Sequence, residues 1–243
     1  MARPAHSRSA PPRPLRPSER RGVVNLGAEH ENLDQKAYQI LKSMIMERQL
    51  PPGLKIPQEK LAEDLGISRT PLVNALKFLE QEKLVQSVPR RGFFVRLFSK
   101  NEMIAIFELR EVLEGLAARR AAHHITEREI AELTLFFQQF AGGRNTGDIK
   151  AYAQEDRRFH TFLAAIGSKE FLKSILDTFN VISFSYQSVL SEGLVRPPRE
   201  TIHEHMAIIE AVSRRDAEAA EQLMRRHLGN SAADLRRDIE TAE

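Results

Sequence analysis

The chain has 243 residues, no cysteine and a formal net charge of +3. That length makes room for one large domain or two modest ones, and the missing thiols exclude a disulfide framework and a thiolate metal site. No apolar run approaches the roughly 20 residues that span a bilayer, and the N-terminus has no hydrophobic stretch of signal-peptide type, so the expectation is a soluble cytoplasmic protein.

The charge is unevenly spread, with 17 Lys/Arg against 10 Asp/Glu through Phe98 and 19 against 23 from Ser99 onward. A basic front half points toward a polyanion, although a solvated charged surface with a basic tail accounts for the balance equally well. Residues 1 to about 30 hold Arg3, Arg8, Arg13, Arg16, Arg20 and Arg21 among many prolines. Such an arm cannot bury apolar surface and is expected to be disordered. It offers weak, salt-sensitive phosphate contacts, but an extension without function, or a start assigned too early, is the simpler reading.

The first strong periodicity puts Ala37, Ile40, Leu41, Met44 and Ile45 on one helical face before Pro51-Pro52-Gly53 breaks the chain. A short second helix after Pro57 buries Leu61, Ala62 and Leu65 and stops at Gly66. The third is expected to start at Thr70-Pro71, a hydroxyl cap followed by proline, and to bury Leu72, Ala75, Leu76 and Leu79. Two strand-like runs, Leu84–Val88 and Phe93–Leu97, flank the turn Pro89-Arg90-Arg91-Gly92. Three short helices and a basic-tipped hairpin make a winged helix-turn-helix over residues 31–98.

From Ser99 the pattern is helical only. Ser99-x-x-Glu102 and Thr126-x-x-Glu129 are capping boxes, and helices are expected at about 100–124, 127–141, 147–166, 169–192, 199–214 and 217–240. The fold class is therefore mainly α, a winged helix-turn-helix followed by an antiparallel bundle of about six helices over 99–243. Such bundles bind ligands between facing helices.

The apolar stripe of the third helix leaves Arg69, Thr70, Val73, Asn74 and Lys77 facing outward. Arg69 can fork onto a guanine edge and Asn74 can pair with adenine, while Arg90 and Arg91 before Gly92 reach phosphates or a minor groove from the wing. A winged helix that packs on protein instead of DNA is the blander alternative. In the bundle, Asp156 and His160 are four apart on one helix face. His205 and His227 are equidistant from Asp216, where the last two helices turn, so they should lie side by side. An aspartate with three histidines suits zinc first, and also nickel, manganese or iron. Taken singly, each histidine is more simply a surface or satisfied core residue. His203 points elsewhere, and His123 and His124 end a helix where a cation suits the dipole. Nothing else in the sequence ties a further carboxylate to the cluster or supplies a nucleophile motif, so a metalloenzyme with an accessory DNA-binding domain ranks behind a non-enzymatic regulator. A third reading makes the ion itself the effector.

The run Leu61-Ala62-Glu63-Asp64-Leu65-Gly66-Ile67-Ser68-Arg69-Thr70-Pro71, continued by Ala75-Leu76, Leu79-Glu80 and Pro89-Arg90-Arg91-Gly92, resembles the signature of the GntR superfamily of bacterial regulators. Three positions depart from it: Val73 and Asn74 stand where the family usually carries arginine and glutamate, and Lys83 stands at a turn that favours glycine. These departures imply an operator differing from the family's usual half-site, with Val73 against a thymine methyl. The bundle is similar to the FCD domain of the FadR subfamily through Glu111-x-x-Glu114-Gly115-Leu116-Ala117-Ala118, Asp156-x-x-Phe159-His160, Glu204-His205-x-x-Ile208 and Met224-x-x-His227-Leu228. That resemblance implies a homodimer on a pseudo-palindromic operator, usually a repressor. It also implies a divalent metal on Asp156, His160, His205 and His227, and an organic acid completing the metal's coordination. Arg110 matches a pocket-facing arginine of the family and can clamp a carboxylate, with a helix-surface ion pair to Glu114 as the alternative. Ser183, Tyr186 and Gln187 are candidate polar contacts to the same effector.

Overall fold

The computed structural model describes residues 28–143, 145, 147–168, 170–187 and 194–241, with positions 28–32, 170, 171, 184, 185 and 187 described by backbone alone. The Arg/Pro-rich arm through residue 27 and the expected helical stretch 188–192 lie outside the described residues.

The first three helices are α1 (Ala28–Met46), α2 (Gln58–Asp64) and α3 (Arg69–Gln81). They close around Ala37, Leu41, Ile45, Leu61, Leu72, Ala75, Leu76 and Leu79. Ile40, assigned to the buried face, is 42% exposed, because the stripe on α1 is narrower than the periodicity implied. Leu65 is half-buried where α2 ends. Ser68, not Thr70, is the N-cap of α3, and its side chain makes no capping bond. Pro71 falls in the first turn, where a missing N–H leaves no intrahelical bond unmade.

Strands β1 (Val85–Val88) and β2 (Gly92–Val95) pair antiparallel, with Val85 opposite Val95 and Val88 opposite Gly92. Residues 53–56 add backbone bonds on the far side of β2: Gly53 N–H to Val95 O, Val95 N–H to Leu54 O and Ile56 N–H to Phe93 O. The Pro-Pro-Gly break conceals this third, short pairing in the sequence. The wing turn takes Pro89 at its second position and Arg90 at its third, with φ +62° at Arg90 and the Arg91 N–H returning to Val88 O. That is a type II turn with arginine where glycine is easiest.

The bundle comprises α4 (Lys100–His124), α5 (Glu127–Leu133), α6 (Ile149–Gly167), α7 (Glu170–Gln187), α8 (Pro198–Ser213) and α9 (Ala217–Glu240). Both capping boxes form, at Ser99/Glu102 and Thr126/Glu129. The second bundle helix is shorter than expected. It stops at Leu133 instead of about 141 and is followed by turns and a 3-10 stretch, Gln138–Gly143. The apolar residues Phe136, Phe137 and Phe140 continue the helical spacing but are buried from a non-helical path. α4 packs along α9 and α6, and α8 lies beside α9. At the end of α6, a Cβ on Gly167 would come within 1.8 Å of the Ala117 carbonyl oxygen of α4. Only glycine admits this approach of two backbones, and it sets α6 against α4.

α3 ends in a Schellman motif, with Leu84 N–H on Leu79 O and Lys83 N–H on Glu80 O. Lys83 occupies the left-handed position at φ +65°, which disfavours any residue with a Cβ. Lys83→Gly is therefore expected to raise unfolding stability by about 1 kcal/mol, read from denaturant midpoints at unchanged slope. A loss of stability would show that the lysine side chain contributes more than its backbone costs.

Candidate metal centre and nucleic-acid interface

His160 comes from α6, His205 from α8 and His227 from α9, with Asp156 one turn before His160. One ligand atom from each of the four lies within 4.8 Å of all the others. The antiparallel α8–α9 turn brings the His205 and His227 rings to 4.5 Å between centroids, and the His160 ring stands 5.4 Å from that of His227. All three imidazoles are buried, and Asp156 is partly so.

Each imidazole is held from behind at Nδ1. His160 Nδ1 is 2.5 Å from Glu114 Oε2, His227 Nδ1 is 2.7 Å from Glu204 Oε2, and His205 Nδ1 is 3.0 Å from the Tyr152 hydroxyl. Tyr152 in turn meets Thr201 Oγ1 at 2.8 Å, and Thr201 donates to the Pro197 carbonyl. With the Nδ1 protons committed to these acceptors, the Nε2 lone pairs are left for the centre. His205 Nε2 lies 3.1 Å from Asp156 Oδ1, a close electrostatic contact too poorly aligned for a well-formed hydrogen bond, and has no hydrogen-bond partner among the described residues. An orphaned buried lone pair beside two more imidazoles and a carboxylate fits a divalent cation: neutral nitrogen ligands supply the bonds and one negative charge offsets the ion.

The electrostatics agree. Burial pushes the Asp156 carboxyl up, but the three imidazoles pull it well below the usual carboxylate range. Burial likewise opposes Glu114, whose pKa is nonetheless drawn to about 2 by Arg110 and His160. Glu204 also falls to about 2, against burial, through His227 and Arg196. Burial lowers His205 and His227 despite the neighbouring carboxylates.

The sequence reading tied no second carboxylate to the cluster, and the structure corrects it. Glu114 and Glu204 each hold a histidine, and their signal was present in the Glu114-Gly115 and Glu204-His205 motifs. Arg110 does pair with Glu114, Nε to Oε1 at 2.6 Å, but the pair is buried and not on the helix surface. Arg110 Nη1 also donates to Ser183 Oγ at 3.1 Å. A small cavity of about 30 Å³ touches Arg110, Asp156, His160 and His227, walled in part by Leu194 and Arg196. Ser183 and Tyr186 do not line it. Ser183 reaches it only through Arg110, and Tyr186, though buried, feels the charge of Asp238. The Gln187 side chain lies outside the described residues. His203, His123 and His124 are exposed.

At the other end, Arg69 and Thr70 open α3, and with Lys77 they are exposed. Val73 and Asn74 are half-buried, not fully outward. Asn74 Nδ2 donates to Asp34 Oδ2 of α1 at 3.0 Å, a contact the amide must give up to read adenine through both its atoms. Arg90 and Arg91 are exposed at the wing, and the Arg91 guanidinium rests 5.4 Å from the Phe94 ring centroid. Gly92, at φ +97°, begins β2. Glu80 Oε1 accepts the Ser87 N–H at 2.8 Å, which ties the wing to α3 and lowers the Glu80 pKa.

The description "Bacterial regulatory proteins, gntR family" matches residues 33–95, and the FCD domain matches residues 105–230. The chain belongs to the GntR family. It is a transcriptional regulator of that family with an FCD domain. The HTH-type transcriptional repressor RspR of Escherichia coli (strain K12) is 26% identical over 211 residues, covering 84% of this chain and 89% of the relative. The Nta operon transcriptional regulator of Aminobacter aminovorans is 34% identical over 137 residues, covering 55% and 64%. Among solved structures, E. coli McbR/YncC superposes with a TM-score of 0.70 at 22% identity, over 85% of this chain and 98% of that one. A GntR regulator from Rhodococcus sp. RHA1 gives 0.66 at 20% identity, over 84% and 97%. These structures share the fold of the regulator. No helix among its described residues is long and apolar enough to cross a membrane.

The buried imidazoles make the metal-free regulator sensitive to acid. His205 and His227 titrate below their ordinary 6.5 when folded, so the unfolded chain takes up more protons as pH falls through about 6.5, and stability falls with it. Glu114 and Glu204, near 2 against 4.5, contribute stability that is present above 4.5 and lost as pH drops toward 2. Thermal melts of chelator-treated protein should show Tm decreasing from about pH 7.5 to 5.5 and again below about 4.5. A flat profile across the upper window would mean that the imidazoles are not buried in neutral form.

Proposed function

We propose that the chain is a bacterial, cytoplasmic homodimeric repressor of the FadR subfamily, and not an enzyme. On this reading residues 31–98 bind a pseudo-palindromic operator, and residues 99–243 sense a small organic acid at a divalent metal, zinc first among the ions that suit the site. The observation that carries the sensing half is the convergence of three Nδ1-anchored imidazoles and Asp156 on one point, with His205 Nε2 buried beside Asp156 and without a hydrogen-bond partner among the described residues. When bound, the ion supplies a Lewis-acid anchor for a carboxylate oxygen. Asp156, His160, His205 and His227 hold it. Arg110 faces the same cavity with its guanidinium braced by Glu114, and Ser183 orients that guanidinium.

The cavity of about 30 Å³ is the volume of roughly one water. An organic acid therefore requires the wall at Leu194–Arg196 to move, and that displacement is what couples binding to operator affinity, at about 1–3 kcal/mol for a typical allosteric regulator. The same small volume favours a second reading, in which the ion alone is the effector. Operator titrations of metal-loaded and chelated protein separate the two. A metal sensor changes affinity on chelation without any acid, whereas a fixed metal leaves it unchanged until an acid is added.

Elemental analysis of purified protein should find about one divalent metal per chain, from the one four-ligand cluster among the described residues, lost in Asp156→Ala and His205→Ala while helix content persists. Unchanged stoichiometry in either variant removes that residue from the site, and metal-free wild type offered several divalent ions sinks the coordination reading.

On DNA, Arg69 and Thr70 open α3 toward the major groove with Lys77, and Val73 and Asn74 lie on the same helix. Arg90 and Arg91 contact the backbone or minor groove beside the turn that Gly92 permits. Arg69→Ala is expected to cost about 1–3 kcal/mol and relax preference at one base pair. Uniform weakening across all sequences would make it a phosphate contact. Selection of bound sequences should return a half-site unlike the family's usual one, because valine and asparagine stand at positions 73 and 74.

A further inference from the structure

We propose that Phe137 is a positioning residue for His205, fastened in a left-handed backbone conformation by the buried carboxylate of Glu155. This rests on reading the four-residue cluster as a metal site. The observation begins with the helix that ends early. After Leu133 the chain turns, with Leu135 N–H on Glu132 O and Phe136 N–H on Leu133 O, and Phe137 sits at φ +60°, a conformation unfavourable for a bulky residue. Its N–H would be orphaned there, but Glu155 Oε1 accepts it at 3.2 Å. Glu155 is 9% exposed and belongs to α6, next to Asp156. Its other oxygen takes Arg158 Nη1 at 2.9 Å.

The outcome of this path is the placement of one ring. The Phe137 side chain is wholly buried and lies flat on His205, with centroids 4.3 Å apart and planes 5° from parallel. Phe159 meets the same imidazole edge-on at 5.2 Å and 71°. The Tyr152 hydroxyl fixes His205 at one atom, Nδ1, and a single hydrogen bond leaves the ring free to tilt about that contact. The flat stack removes this freedom and so fixes where Nε2 points. Backbone strain kept at a buried site is expected where the surroundings over-determine it. Here a carboxylate from the helix that carries Asp156 and His160 holds the ring that sets His205. His160 and His205 are thereby aligned from one element, α6.

The test uses full-length protein with Phe137→Leu, Glu155→Ala and Glu155→Gln, each checked for helix content. Two readouts are taken: Co²⁺ and Zn²⁺ affinity by chelator competition with the Co²⁺ visible spectrum, and the ¹⁵N shifts of the His205 ring in metal-free protein. Phe137→Leu should weaken metal binding by about 10- to 100-fold, as loss of outer-shell support does, and alter the Co²⁺ bands. In the metal-free variant the two ring nitrogens should move toward averaged shifts as the single tautomer is lost. Glu155→Ala should do the same with the aromatic ring intact. Glu155→Gln, whose amide oxygen still accepts the Phe137 N–H, should remain close to wild type. A folded Phe137→Leu or Glu155→Ala protein with wild-type affinity and a fixed tautomer overturns the proposal. If wild type binds neither ion, the metal reading fails, and the tautomer comparison still decides whether Phe137 positions His205.

Discussion

Three imidazoles buried side by side impose one demand on this bundle: none can carry a proton at both nitrogens without a buried charge, and each must place its Nδ1 proton on an acceptor. The demand is met from three elements. Glu114 of α4 takes His160, Glu204 of α8 takes His227, and Tyr152 of α6 takes His205. Two of these acceptors are anions, Glu114 buried and Glu204 half-buried, and each has its own cation, Arg110 and Arg196. Arg196 bonds Glu204 through Nη1 at 2.6 Å and Nη2 at 3.1 Å, with Asn230 adding a third donor. A buried carboxylate lacking such partners would be costly enough to neutralise itself, and the histidine behind it would then lose its tautomer. The packing of α4, α6, α8 and α9 serves this network as much as it serves the apolar core. The close approach at Gly167 is what lets α6 bring His160 to Glu114 on α4.

α6 also has a second face. Arg157, Thr161 and Ala165 on it line a groove of about 850 Å³ whose opposite wall includes Tyr38, Lys42 and Met46 of α1. On α1, Lys42 and Tyr38 are tied to Glu82 just beyond α3, with Lys42 Nζ 2.9 Å from both the Tyr38 hydroxyl and Glu82 Oε2. The helix that presents two metal-ligand candidates therefore faces, across this groove, the helix that packs on α3. α7 makes the direct contact with α1. α7 packs on both α6 and α1, so it is the element that joins them across the groove.

Much of this was legible in the sequence, for physical reasons that differ by element. The core of α3 was readable because Leu72, Ala75, Leu76 and Leu79 follow the helical period and nothing competes with it. The proximity of His205 and His227 followed from symmetry about Asp216, since antiparallel helices joined by a tight turn pair residues by distance from the turn. Asp156 and His160 followed from the i, i+4 rule. What was hidden lies where a tertiary contact overrides a local pattern. Phe136, Phe137 and Phe140 carry on the apolar spacing of α5, and only the Glu155 carboxylate, 18 residues on, shows why the helix gives way. Asn74 reads as an outward-facing amide until Asp34 of α1 is placed beside it. Ile40 shows the converse: a residue with the right period is left exposed because the buried stripe of α1 is narrower than the period implies. The acidic partners of the histidines were present in the motifs, but sequence distance cannot say that Glu114 meets a histidine 46 residues away.

On the proposed reading, the size of the cavity bears on what kind of switch the bundle can be. A ligand shifts an equilibrium only by its different affinities for two states, and among the described residues the cavity beside the ligand cluster holds only about 30 Å³. An organic acid that binds must select a state in which Leu194 and Arg196 have moved. Arg196 is hydrogen-bonded to Glu204 on α8 and ion-paired with Asp234 on α9, its Nε 3.2 Å from Oδ2 without a hydrogen bond there. On the proposed reading, opening disturbs both the anion that holds His227 and the ion pair of Arg196 with α9. α9 lies along α4, and α4 begins directly after the wing, where Arg96 is paired with Glu102 of its first turn. On the proposed reading the effector and the operator thus compete through a continuous run of helix, from Arg196 through α9 and α4 to β2. The metal's part in that competition is to keep the three imidazoles fixed while the wall beside them moves.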